Sequence, residues 1–97
     1  MSERRTMRVR VRGKVQGVGY RDWTERRARA LGLDGWVRNM PDGSVEALVA
    51  GTPDAVDRML AEFNNGPPSA RITGVEPLDG DAEGDGVVAG QGFAVRY

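Results

Sequence analysis

The chain opens its ordered part on strict alternation. Met7, Val9 and Val11 are apolar and Arg8, Arg10 and Arg12 basic, which predicts a half-buried strand with three arginines on its wet face. The period then changes. Tyr20, Thr24, Ala28 and Leu31 recur at helical spacing, which predicts a helix over 22–31, with Asp22 and Glu25 in its first turn and Gly32 ending it. Two short runs, 34–39 and 44–50, read as strands joined by the turn Met40-Pro41-Asp42-Gly43, where proline fixes φ and glycine is free to take φ > 0. In the second run Val45, Ala47 and Val49 share a face. Thr52, Pro53 and Asp54 form a helix start, followed by Val56, Met59, Leu60 and Phe63 as an amphipathic stripe and by Gly66-Pro67-Pro68 as a stop. Residues 70–77 read as a weaker strand in which Ile72 and Val75 break the alternation, so that Gly74 marks an expected bulge. Residues 79–92 read as an acidic, glycine-rich loop and 93–97 as a last short strand.

The order βαββαβ plus a short terminal strand predicts an α+β sandwich of the split β-α-β type, with two helices on one face of an antiparallel sheet. Residues 1–6 are expected to be a flexible tail and 7–97 a single domain, a size that suits one modest core. At this size a monomer is the expectation. With 39% hydrophobic and 29% charged residues, the composition is that of a folded domain rather than a disordered one. No apolar run approaches the roughly 18 residues that span a membrane, and the N-terminus has no apolar signal segment, so a cytoplasmic protein is expected.

Chemistry is bounded by what is missing. The sequence has no cysteine and no histidine, so disulfides, thiolates and the usual general base and metal ligand are excluded. Arginine, lysine, carboxylates, amides, hydroxyls and water remain. Charge is split: residues 1–40 hold eleven Lys/Arg against four Asp/Glu, and residues 41–97 hold three against ten. Pairing of opposite charges across the fold accounts for such a split without any partner. Arg8, Arg10 and Arg12 on one sheet face could serve an RNA-binding sheet, but no aromatic residues are interleaved with them for base stacking. The acidic loop lacks the ligand series and the closing glutamate of a calcium loop.

The basic half also carries Gly13-Lys14-Val15-Gln16-Gly17-Val18-Gly19-Tyr20-Arg21, between the first strand and the first helix. Its glycines at 13, 17 and 19 fit neither G-x-x-x-x-G-K-[ST] nor G-x-G-x-x-G, so no nucleotide fingerprint is present. Two readings stay open: a tight connection needing φ > 0, or an anion cradle of backbone N–H groups at a helix start, closed by Arg21 with Lys14 nearby. Asn39 shares the strand parity of Val37 and stands at the end of its strand. It reads either as a turn residue bonding its own backbone or as an amide that holds a water beside the anion.

The segment 13–21 closely resembles the signature of the acylphosphatases. Gly35-Trp36-Val37-Arg38-Asn39 with Asp42-Gly43-Ser44-Val45-Glu46 resembles their second signature, and Gly66–Arg71 and Val95-Arg96-Tyr97 are similar to theirs, in the same order over 7–97. The resemblance implies a ferredoxin-like fold and a hydrolase that splits the carboxyl–phosphate bond of acyl phosphates, with no metal, cofactor or covalent intermediate. It implies phosphate binding by Arg21 with the backbone of Gln16, Gly17, Val18, Gly19 and Tyr20, and water positioning by Asn39. Inorganic phosphate is then both product and expected competitive inhibitor. In this sequence Met40 stands where relatives commonly carry a hydroxyl residue, and the 79–92 loop is longer than is typical. A non-catalytic anion-binding or regulatory module of the same fold is the alternative, since a fold does not fix a function.

Overall fold

Alternation places Val9 and Val11 wholly inside, and the strand that carries them, β1 (Arg5–Lys14), lies in the middle of the sheet of a computed structural model that describes residues 4–78 and 90–96. The strand starts two residues before the expected Met7. Arg5 and Thr6 pair with Gly51 and Ala50, because the partner strand is long enough to offer them backbone groups. The remaining elements are α1 (Tyr20–Ala30), β2 (Asp34–Asn39), β3 (Val45–Gly51), α2 (Pro53–Phe63), β4 (Arg71–Pro77) and β5 (Phe93–Arg96). The expected 79–92 loop falls largely on residues 79–89, outside the described residues, as does Tyr97.

The sheet order is β4-β1-β3-β2-β5. Four strands are antiparallel, as expected for a split β-α-β sandwich, but β5 lies parallel to β2, with Gly35 beside Phe93 and Val37 beside Val95. The sheet is therefore mixed rather than wholly antiparallel. Strand β4 ends at the end of the sheet where β2 begins, so the chain enters the opposite edge running in the direction of β2. Asp34 accepts from the N–H groups of Gly90 (3.0 Å) and Gly92 (2.7 Å), which holds that entry in place. The bulge expected at Gly74 sits beside it: Arg12 faces Gly74 while Gly13 faces Ile72, leaving Thr73 as the extra residue.

Both helices cover one face. Val9, Val11, Val37, Val45, Ala47 and Val49 meet Tyr20 and Ala28 of α1 and Val56, Met59 and Phe63 of α2. The Tyr20 hydroxyl donates to Phe63 O (2.9 Å), joining the start of α1 to the end of α2. Thr52 caps α2 by accepting from Ala55 N (3.2 Å), as its sequence predicts.

The other face is roofed by side chains rather than by helices. Leu48 and Trp36 are buried there, 0% and 3% exposed, and so is Glu46. The arginines of β1 are ion-paired across the sheet: Arg8 with Glu46 (3.6 Å), Arg10 with Asp42 (3.9 Å), and Arg12 with Asp42 (3.5 Å) and Glu76. Arg5 with Asp57 and Arg27 with Glu62 (2.7 Å) likewise join the basic half to the acidic half. The face does carry one aromatic residue, which inspection of β1 alone misses. Trp36 from β2 has the guanidinium groups of Arg38 (5.0 Å) and Arg96 (4.9 Å) over its ring, two cation–π contacts that help to cover it.

Candidate active site

Three strand ends meet at one end of the sheet: the C-terminal ends of β1, β2 and β5. Between β1 and α1 the chain turns through Gly17 (φ 74°) and Gly19 (φ 78°). Both lie in the left-handed region, where a side chain would strain the backbone, and both are exposed. Gly19 is also the N-cap of α1, so the helix starts at Tyr20, two residues before the expected Asp22. A glycine cap brings no side chain to the first-turn N–H groups, so the N-cap position makes no side-chain capping hydrogen bond. The start of α1 thus keeps donors and positive partial charge turned toward the loop.

The result is an open cleft of about 150 Å³ lined by Val15, Gly17, Gly19, Tyr20, Arg21, Asp22 and Asn39. It brings together Gly17, Gly19, Tyr20, Arg21 and Asn39 of the residues singled out in the sequence. Gln16 and Val18 do not line it: Val18 packs partly buried against the core, and the Gln16 side chain turns away to the β2–β3 turn. Lys14 is exposed at the end of β1 and does not line the cleft either. Val15 and Asp22 were not singled out. Val15 continues the inward parity of Val9 and Val11, a signal the sequence did contain; Asp22 carries none beyond its place beside Arg21.

Arg21 stands in the first turn of α1, and its Nη1 donates to the backbone carbonyl of Arg96 in β5 (3.2 Å). Asn39 ends β2, in register with Val45 of β3. Its Oδ1 is buried and accepts no hydrogen bond among the described residues. It is therefore not a turn residue satisfying its own backbone through that atom. The turn is satisfied otherwise. Met40 N donates to Ser44 O (2.8 Å), Gly43 N to Met40 O (3.1 Å), and the Ser44 N–H (2.9 Å) and hydroxyl donate to Asp42 Oδ1. The Ser44 hydroxyl and then its N–H hold the Asp42 carboxyl below the usual carboxylate range; partial burial opposes them, and Arg10 and Arg12 add to the lowering.

Burial pushes the Tyr20 phenol well above its ordinary value, and its hydroxyl is committed to Phe63 O. It is no acid or base for the cleft. Among the described residues no three His, Cys, Asp or Glu side chains come together as a metal site. What the cleft offers is a guanidinium fork, a row of loop and helix N–H groups and an amide oxygen, a set suited to an anion with a water beside it. Among the described residues no helix is long and apolar enough to cross a membrane.

The family profile described as Acylphosphatase matches residues 7–94. An acylphosphatase of Rubrobacter xylanophilus is 50% identical over 97 residues, covering 98% of this chain and 84% of its own. One from Sinorhizobium medicae is 59% identical over 73 residues, covering 75% of this chain and 78% of its own. The crystal structure of acylphosphatase from Bacillus subtilis superposes with a TM-score of 0.82 at 31% identity, over 95% of this chain and 98% of that one. By profile, by relatives along most of its length and by fold, the chain belongs to the acylphosphatase family.

Proposed function

We propose that the cleft hydrolyses the carboxyl–phosphate bond of acyl phosphates without a metal ion, with Arg21 and the loop backbone holding the phosphoryl group and Asn39 the attacking water. The observation that carries this reading is that Arg21, from α1, and Asn39, from β2, line the same cleft with the Gly17–Gly19 loop. An acyl phosphate is already activated, because a carboxylate leaves readily. The protein's part is then positioning and charge stabilisation.

The Arg21 fork and the N–H groups of residues 16–20 bind the non-bridging phosphoryl oxygens and neutralise the charge that develops on them. Asn39 Oδ1 accepts from the water and aims its oxygen at phosphorus, opposite the acyl oxygen. The new P–O bond forms as the bond to the acyl oxygen breaks. The carboxylate departs with the bonding pair, and the water's proton passes to a phosphate oxygen. The products are a carboxylate and inorganic phosphate, so phosphate competes for the same cradle. The chain works as a cytoplasmic monomer in this reading.

A sheet face that binds RNA has less in its favour, since Arg8, Arg10 and Arg12 are ion-paired to carboxylates within the protein. The deciding experiment is hydrolysis of benzoyl phosphate in the presence of EDTA. Saturable turnover, inhibited competitively by inorganic phosphate, is expected. Release of benzoate at the uncatalysed rate, or activity abolished by EDTA and restored by a divalent cation, overturns the reading.

A further inference from the structure

We infer that the Gln16 side chain is a positioning residue that fixes Asn39 by clamping the β2–β3 turn onto the phosphate loop. The inference rests on the assignment of water positioning to Asn39. Gln16 Nε2 donates to Met40 O and to Ser44 O, both at 2.8 Å. Both hydrogens of the amide are thus spent on the two carbonyls at the mouth of one turn. Met40 directly follows Asn39, so holding the Met40 carbonyl holds the residue next to the end of β2. Gln16 directly precedes Gly17, so the same side chain ties that end to the loop that leads to Arg21.

The choice of residue fits the task. Two carbonyl acceptors here need two N–H donors on one nitrogen, which glutamine supplies and glutamate does not. The clamp is part-buried, where water competes poorly with its hydrogen bonds. The turn does not depend on it for its own shape, because Asp42, Ser44, Met40 and Gly43 close it among themselves. Loss of the Gln16 amide therefore undocks a turn that stays formed. The expected effect falls on the alignment of Asn39, not on the folding of the hairpin.

The test compares Gln16→Met, close in shape but without donors, with Gln16→Lys, which restores donors, alone and with Asn39→Ala. Turnover of benzoyl phosphate, inhibition by inorganic phosphate and the melting temperature are read for each. For Gln16→Met we expect kcat to fall about 10–100-fold, with the phosphate inhibition constant within about threefold of wild type. Gln16→Lys is expected to regain most of the lost kcat. In the Asn39→Ala background Gln16→Met is expected to add little, since the two act through one water.

Wild-type kcat in Gln16→Met, beside a large loss in Asn39→Ala, overturns the clamp and leaves the role of Asn39 standing. Additive losses overturn it too, as Gln16 would then act elsewhere. Full turnover in Asn39→Ala removes the water-positioning role and the clamp together. If Gln16→Met fails to fold, Gln16→Lys carries the test: a folded Gln16→Lys with the kcat of Asn39→Ala overturns the clamp, and one with near wild-type kcat supports it.

Discussion

Arg21 Nη1 donates to the backbone carbonyl of Arg96 at 3.2 Å, so a side chain at the start of the first helix is held by the last described strand. Residue 21 and residue 96 are brought together only because β5 pairs parallel to β2 and ends beside the cleft. A guanidinium has five N–H donors in a fixed fork; one can be spent on the scaffold while others face the ligand. In the proposed reading, the Arg21–Arg96 contact aims the cation that Arg21 supplies.

Replacing Arg21 by lysine keeps the charge and removes the fork. An ammonium that reaches Arg96 O cannot also bind two phosphoryl oxygens side by side. We expect Arg21→Lys to fold normally and to lose roughly 10²–10³-fold in kcat/KM for benzoyl phosphate. A rate near that of wild type would show that charge alone suffices.

Asn39→Ala separates binding from turnover. Its Oδ1 takes no donor from the described protein, so its removal leaves the loop and Arg21 intact. The expected outcome is a large loss of kcat with phosphate inhibition retained. Loss of phosphate binding in parallel would place Asn39 on the anion itself rather than on the water. Steady-state inhibition kinetics distinguish the two.

Tyr20→Phe removes the hydroxyl that joins α1 to α2 and leaves the Phe63 carbonyl short of its partner in a buried place. A cost of about 1–2 kcal/mol is expected from loss of one hydrogen bond to a buried acceptor. Urea unfolding reads it as a lowered midpoint with an unchanged slope. An unchanged midpoint would mean that water replaces the hydroxyl at no cost.

Asp34 gives the fold a dependence on acid. Burial works to raise its carboxyl, but the N–H groups of Gly92 and Gly90 and the Arg4 guanidinium outweigh burial and lower it below the ordinary value. The sign follows. A carboxyl depressed in the folded state contributes stability that is present above the unfolded value, about 3.9, and lost as pH falls through the folded value. Asp34→Asn is expected to cost about 1–3 kcal/mol at neutral pH, because the amide oxygen can accept from only one of the two glycine N–H groups while the NH2 group faces the other. Its difference from wild type narrows as pH falls below about 4. A constant difference across that range would show that the charge is not what Gly90 and Gly92 recognise.

Much of the fold is legible in the chain because local physics fixes it. Alternation placed Val9 and Val11 inside, and Thr52-Pro53-Asp54 set the start of α2, since caps and periods act over a few residues. The motifs at 13–21 and 35–46 supplied Arg21 and Asn39 and the family to which the chain belongs. Three things were not legible. The parallel pairing of β5 depends on which sheet edge the chain reaches after β4, a choice made by the whole sheet. Trp36 lies on the arginine-bearing face because β2 sits two strands from β1, which no inspection of β1 reveals. The third is the pair of hydrogen bonds that the Gln16 amide donates to Met40 O and Ser44 O, across 24 and 28 residues. Sequence thus determined which groups are available, because residue type and spacing suffice for that. Tertiary structure decided which of them share a cleft and what holds them there, because those contacts join residues far apart in the chain.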